Sequence, residues 1–301
     1  MAVDLAAEAA VPTPEELVAA ARVDGVAPAV AVSYAPLARH LARLADAARA
    51  GRDGGADGRR PFVIGLTGGV GVGKSVTARI LARLMDCGGT PRRIETVATD
   101  GFLLPTRELQ RRGIMHRKGF PESYDPVLAG TFFDELRRGS PEVSVPVYSH
   151  LTYDILPDAA HRLRDPDVVV VEGVYVATLM RTGPDGTGTA VHAGDAFDVT
   201  LYLDASPEAM RGWYLERAMR LITERMRDRT RPAWPLSAGE SRAMVERVWE
   251  EVNVVNAREN IIPSRGLADL LVTKRDDHSV SSVRLRDHAP LRKAERDGRR
   301  P

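Results

Sequence analysis

The stretch from Pro61 to Met85, PFVIGLTGGVGVGKSVTARILARLM, constrains this chain more than any other. An apolar run, Phe62 to Leu66, leads into Gly68-Gly69-Val70-Gly71-Val72-Gly73-Lys74-Ser75, which fits G-x-x-x-x-G-K-[ST], and an amphipathic stretch follows at once. Strand, glycine-rich loop and helix in that order form a phosphate-binding loop. The glycines let successive backbone N–H groups turn inward on a polyphosphate, and the new helix sets its positive end under the same anion. The nucleotide cradle is therefore expected over Gly68 to Val76, with Lys74 reaching the β/γ-phosphates and Ser75 able to ligand Mg²⁺. A glycine-rich turn without a ligand can share the pattern, but a chance match seldom carries both the strand and the helix.

With 301 residues and 44% hydrophobic content, the chain can bury the core of an α/β domain plus a helical appendage. The balance of 42 basic and 41 acidic residues gives a formal charge of +1, so no overall basic field points to nucleic acid or to an anionic membrane. Small molecules or protein are the expected partners. One cysteine, Cys87, rules out an intramolecular disulfide or a thiolate-rich metal site, which suits a reducing compartment. It is read as a small residue near a helix end. No apolar run reaches transmembrane length and no secretory leader stands at the N-terminus, so a cytoplasmic protein is expected.

Three segments follow from the order of the chain: an N-terminal helical arm and linker over 1–60, a phosphate-loop domain over 61–286 and a disordered tail over 287–301. Thr13-Pro14-Glu15-Glu16 looks like a helix start, and Leu37, Leu41, Leu44 and Ala48 recur at helical spacing between Tyr34 and Ala50. The linker GRDGGADGRR, Gly51 to Arg60, resists ordering. RIETVATD, Arg93 to Asp100, reads as a second strand ending in Asp100, which should face the same crevice as Lys74. The basic run from Arg107 to Lys118 reads as a solvated helix face, with contact to an anionic ligand as the minority reading. Asp134 to Arg138 closes a helix, and Pro141 to Asp154 reads as an extended, proline-interrupted segment carrying Tyr148, His150 and Tyr153. DVVVVEG, from Asp167, is a strand buried on both faces and ends in Glu172, a second acid able to hold Mg²⁺ through water. Residues 181–195 read as a flexible loop and Phe197 to Ala205 as a strand. A helix then runs from Glu208 to about Arg229 with Arg211, Arg217, Arg220, Arg225 and Arg227, either a lid over a transferring phosphate or a solvated face. After a turn from Arg231 to Ala238 come a long helix to about Asn260 and a last strand, Ala268 to Lys274. The fold class is α/β, a phosphate-loop NTPase-like, mostly parallel sheet flanked by helices, with a helical lid and substrate region.

In order, the chain carries GGVGVGKSVTAR, TDGFLLP, KGFPESYD, PVYSHLTYD, VVVEG and NIIPSR. These segments resemble those of bacterial type I pantothenate kinases, in the phosphate-loop kinase superfamily with uridine kinase and phosphoribulokinase, from about Tyr34 to Arg286. KGFPESYD and PVYSHLTYD are the specific signals. The resemblance implies ATP-dependent phosphorylation of pantothenate, with ATP and Mg²⁺ as cofactors, a homodimer, and coenzyme A as a feedback inhibitor reached through Arg79. It implies that Asp100 takes the hydroxyl proton, Lys74 bridges the phosphates, Ser75 and Glu172 serve the metal, and Arg217 steadies the transferring group. It further implies that Tyr148, His150, Tyr153, Tyr214 and Asn260 hold pantothenate, while Lys274 and His278 lie near the adenine.

The chain departs from that family at Ala218 and Leu221, where phenylalanines usually line the pocket, and in a shortened segment from Glu224 to Gly239. Those changes open volume at the acceptor end and keep alive a paralogue that phosphorylates another small primary alcohol. A regulatory nucleotide switch is the second alternative, because Thr273-Lys274-Arg275-Asp276 fits [NT]-K-x-D. No D-x-x-G follows the acidic strand, which weighs against it. A catalytically idle binding module would be expected to lack Asp100 or Lys74, and both are present.

Overall fold

A computed structural model describes residues 26–51, 60–86, 92–182, 196–227 and 234–286. The expectations for 1–24, for most of the Gly51 to Arg60 linker, for Cys87, for 183–195 and for the 287–301 tail lie outside these residues.

The first described helix, α1, spans Pro28–Ala50 and starts six residues before the predicted Tyr34, with proline in its first turn. The spacing of Ala31, Tyr34, Leu37, Ala38, Leu41 and Ala45 explains the longer helix, since all are buried along one stripe. The chain then lays down β1 (Phe62–Gly68), α2 (Lys74–Asp86) and β2 (Ile94–Ala98). Asp100 is not the last residue of β2 as predicted; it sits just beyond it, in the 3₁₀ turn Thr99–Phe102.

The basic run does not form one helix. It divides into α3 (Thr106–Arg111) and a 3₁₀ turn, Met115–Arg117, and ends in a buried Lys118. After α4 (Pro126–Arg137), the segment predicted as merely extended is β3 (Glu142–Ser149), paired antiparallel with β4 (Asp154–Arg164). The second strand escaped prediction because its sequence, DILPDAAHRLR, holds a proline and sets apolar residues side by side instead of alternating them with polar ones, although its exposure does alternate from Asp158 to Arg164. Next come β5 (Val168–Glu172), the unpredicted helix α5 (Tyr175–Thr182), β6 (Val199–Asp204) and α6 (Pro207–Arg227). Arg181 and Thr182, read as loop, close α5. Helix α7 (Ala238–Val248) continues through π-helical turns at Trp249–Asn253 and Ala257–Ile261. β7 (Leu270–Lys274) is not the last strand, because β8 (Val280–Leu285) pairs antiparallel with it.

The main sheet has the order β2-β5-β1-β6-β7-β8, parallel except for β8. Its interior explains the VVVV run of β5. Val168 and Val170 join a core with α1 and α2, while Val169 and Val171 join a second core with Phe102, Phe132, Phe133 and Phe197 on the opposite face. A strand covered on both sides has no polar face to show. The in-register pairing of Leu66 with Glu172 brings the ends of β1 and β5 to the same level, so the phosphate loop and Glu172 emerge side by side.

Candidate active site

At the carboxyl edge of the sheet the Lys74 ammonium donates to the carbonyls of Gly68 (3.1 Å) and Gly69 (3.0 Å). Gly71 holds φ at +85°, and a Cβ there would lie 2.6 Å from the Met210 carbonyl oxygen, so the loop packs directly against α6. The Ser75 hydroxyl donates to Glu172 Oε1 at 2.7 Å. Burial pulls Lys74 below the usual lysine range and pushes Glu172 above the usual carboxylate range, each partly offset by the other's charge. Asp100 and Arg217 act on both groups, which puts all four charges in one crevice.

The surroundings of Asp100 are assembled from distant segments. His150 Nε2 lies 4.0 Å from Asp100 Oδ2. Tyr148 meets both His150 and Tyr153 edge-on, at ring distances of 5.3 and 6.3 Å. Between them and α3 sits Lys118, whose ammonium donates to Thr106 Oγ1 at 3.1 Å and to the Tyr153 carbonyl. It also lies 4.1 Å from the Tyr153 ring centre and 5.1 Å from that of Tyr148. Burial lowers its pKa, against the opposing pull of Asp154 and Asp100. Lys118 was read with the solvated basic face, and the structure corrects that: only the long-range approach of the β3–β4 turn buries it.

Tyr214 leans on Trp249 at 5.3 Å, and Asn260 donates to Asn256 Oδ1 at 2.9 Å. Asn256 in turn donates to the Gly119 carbonyl at 2.8 Å, tying α7's extension to the loop after Lys118. On the far side of the phosphate loop, Lys274 donates to the Val72 carbonyl at 2.8 Å, and a Cβ on Gly73 would come 3.1 Å from its Nζ. The His278 ring stacks on Trp213 at 4.1 Å, and Lys274 lies 5.4 Å from the Trp213 ring centre. The predicted residues therefore fall into three neighbouring groups: Asp100, Tyr148, His150 and Tyr153; the phosphate loop with Glu172; and Lys274 with His278. Tyr214 and Arg217 lie on α6, whose Met210 and Tyr214 pack against Gly71. Trp213 and Asn256 were missed. Trp213 carried a signal, since it opens the WYLER segment one position before Tyr214.

Among the described residues, no three His, Cys, Asp or Glu side chains gather as a metal cage. The Ser75 hydroxyl and Glu172 carboxylate are hard oxygen donors, a set that fits a Mg²⁺ ion completing its shell with water and phosphate oxygens. A cavity of about 180 Å³ lies at the opposite, amino edge of the sheet, and its Arg49 and Arg92 are already bound to Asp167 and Asp46. No described helix is long and apolar enough to cross a membrane.

The profile of the Phosphoribulokinase / Uridine kinase family matches residues 63–230. A pantothenate kinase of Rhodococcus erythropolis is 42% identical over 76% of this chain and 73% of its own length. A pantothenate kinase of Streptomyces coelicolor is 43% identical over 77% of this chain and 71% of its own. Among solved structures, a D-glycerate 3-kinase from Cryptococcus neoformans aligns with a TM-score of 0.55 at 13% identity, covering 83% of this chain and 99% of its own. A putative fructose transport system kinase from Silicibacter aligns with a TM-score of 0.53 at 23% identity, over 72% of this chain and 92% of its own. These two share the fold.

Proposed function

The chain belongs to the Phosphoribulokinase / Uridine kinase family, and from that premise we propose that it transfers the γ-phosphoryl group of ATP to the primary hydroxyl of pantothenate, giving 4′-phosphopantothenate at the head of coenzyme A synthesis. Pantothenate kinases similar to this chain over about three-quarters of its length support the acceptor. The observation that carries the mechanism is the Asp100 carboxylate, in one crevice with Lys74, Glu172 and Arg217 and 4.0 Å from His150.

Asp100 accepts the proton of the attacking hydroxyl as its oxygen bonds to the γ-phosphorus and the bond to the β-phosphate oxygen breaks, releasing ADP. A carboxylate is a weak base, but in a loose transition state the proton leaves late. Lys74 spans the β- and γ-phosphates, and Arg217 meets the charge spread over the equatorial oxygens. Ser75 and Glu172 would hold Mg²⁺, which when bound would neutralise phosphate charge. Tyr148, His150, Tyr153, Tyr214 and Asn260 grip the acceptor, and Lys274 and His278 lie by the adenine. Placement in the cytoplasm, homodimer assembly and feedback by coenzyme A through Arg79 belong to the same proposal.

A second acceptor stays in view because Ala218 packs in a small cluster with Leu215, Ile222, Val245 and Trp234, so α6 offers no phenylalanine there. ADP release with pantothenate, pantetheine and uridine as competing acceptors decides between them. Stimulation by pantothenate alone is expected; release driven only by another alcohol would overturn the acceptor while leaving the phosphate chemistry. Preference for GTP over ATP would favour the switch.

A further inference from the structure

We infer that Tyr34 and Ser33 of α1 are positioning residues for the nucleotide base, bracing the β7–β8 turn against the phosphate-loop helix. Tyr34, Ser33 and the turn they brace lie outside residues 63–230, the span shared with the family profile, while Thr77 of the phosphate-loop helix lies within it. The inference rests on the ATP-dependent transfer proposed above.

Tyr34 is 1% exposed, yet its hydroxyl reaches two functional segments. It donates to the His278 carbonyl at 3.0 Å, and the Thr77 hydroxyl donates to it at 3.4 Å. Thr77 lies in the first turn of α2, where its N–H bonds the Gly73 carbonyl. One buried oxygen thus joins the helix that ends the phosphate loop to the turn that carries His278. Burial pushes the phenol up to about 12, so the donor proton stays in place across the working range. One position earlier, Ser33 Oγ accepts from the Val280 N–H at 2.9 Å, fixing the other end of the same turn.

The turn needs that support. His278 holds φ at +69°, a left-handed conformation that L side chains other than Asn and Asp rarely adopt. Its own bonds, Arg275 N–H to Ser279 and His278 N–H to Arg275, close the loop but do not place it. Placement comes from outside: Tyr34 and Ser33 on one side, Trp213 Nε1 donating to the Asp276 carbonyl at 3.2 Å on the other. The product is a stacked aromatic pair, the Trp213 indole against the His278 ring, next to the Lys274 that touches the phosphate loop, and the pair's outer face forms a platform. A planar base attached to phosphates bound at Lys74 would meet that platform, and a bare polyphosphate would not.

Equilibrium binding of ATP and of tripolyphosphate to the full chain, wild type against Tyr34→Phe, separates the base from the phosphates. Loss of one net hydrogen bond predicts an ATP Kd raised about three- to tenfold with the tripolyphosphate Kd unmoved. In turnover the KM for ATP rises and that for the acceptor does not. Ser33→Ala is expected to act in the same direction more weakly, and it supplies the comparison should Tyr34→Phe lower the thermal midpoint so far that binding cannot be read. An unchanged ATP Kd, or equal weakening of both ligands, overturns the inference. So does wild-type protein that binds ATP no better than tripolyphosphate. Wild-type protein that binds ATP yet leaves pantothenate untouched sinks the acceptor assignment alone.

Discussion

The phosphate loop follows a strand whose seven residues are all buried, whereas the Tyr148–Tyr153 segment caps a two-stranded ribbon outside the main sheet, with Leu151 61% and Tyr153 54% exposed. The phosphate loop itself uses backbone groups, positive-φ glycines and a helix start within about a dozen consecutive residues, with Glu172 and Lys274 brought to it by the sheet. The proposed acceptor side draws instead on side chains from the turn after β2, Lys118, the β3–β4 turn, α6 and the extension of α7. Backbone groups cannot be exchanged by mutation, and side chains on a ribbon tip can. Under the proposed function the acceptor end is therefore the part free to diverge while the phosphate chemistry stays fixed.

The sharpest way to test this division is Asp100→Asn, which should lower turnover by about 10²–10⁴ while ATP binding persists. Near-wild-type turnover would remove Asp100 as the base. Lys274 probes the donor side by pH. Burial, and then repulsion from Lys74, lower its pKa from 10.5 to about 8. Between those values the unfolded chain holds a proton that the folded chain lacks, so the Lys274 contribution to stability grows as pH rises from 8 to 10.5 and is lost as pH falls through 8. Its size is on the order of 3 kcal/mol. Denaturant unfolding across that window should show a shallower pH slope for Lys274→Met than for wild type; identical slopes would refute it. On the acceptor side, Tyr153→Ala removes the ring beside Lys118 and should raise the acceptor KM about fivefold, with KM for ATP unmoved. A matching rise for ATP would erase the separation between the two sides. Ser237→Ala, which breaks the capping box with Glu240 at the start of α7, should cost about 0.5–1 kcal/mol in thermal unfolding and leave both KM values alone.

Legibility follows the same divide. The VVVV run and the glycine loop announced themselves because burial on both faces and tight turns impose residue types over a short span. Lys118 gave no local sign of burial, since its neighbours Arg111, Arg112 and Arg117 pair with Glu108 and Glu122 as a solvated face does. β4 was hidden by Pro157 and by apolar residues set side by side, a pattern that makes sense only beside β3. Tyr34 marked only the expected start of a helix whose stripe was Leu37, Leu41, Leu44 and Ala48.

The sequence by itself determined the phosphate loop and the mostly parallel sheet, because these rest on motifs in which neighbours along the chain do the work. Tertiary structure alone decided that Lys118 is buried against Tyr153, that His278 stacks on Trp213, and that a tyrosine in α1 reaches the turn 244 residues away. Those contacts depend on how packed elements meet across the sheet, and no local periodicity records a partner that folding brings from the other end of the chain.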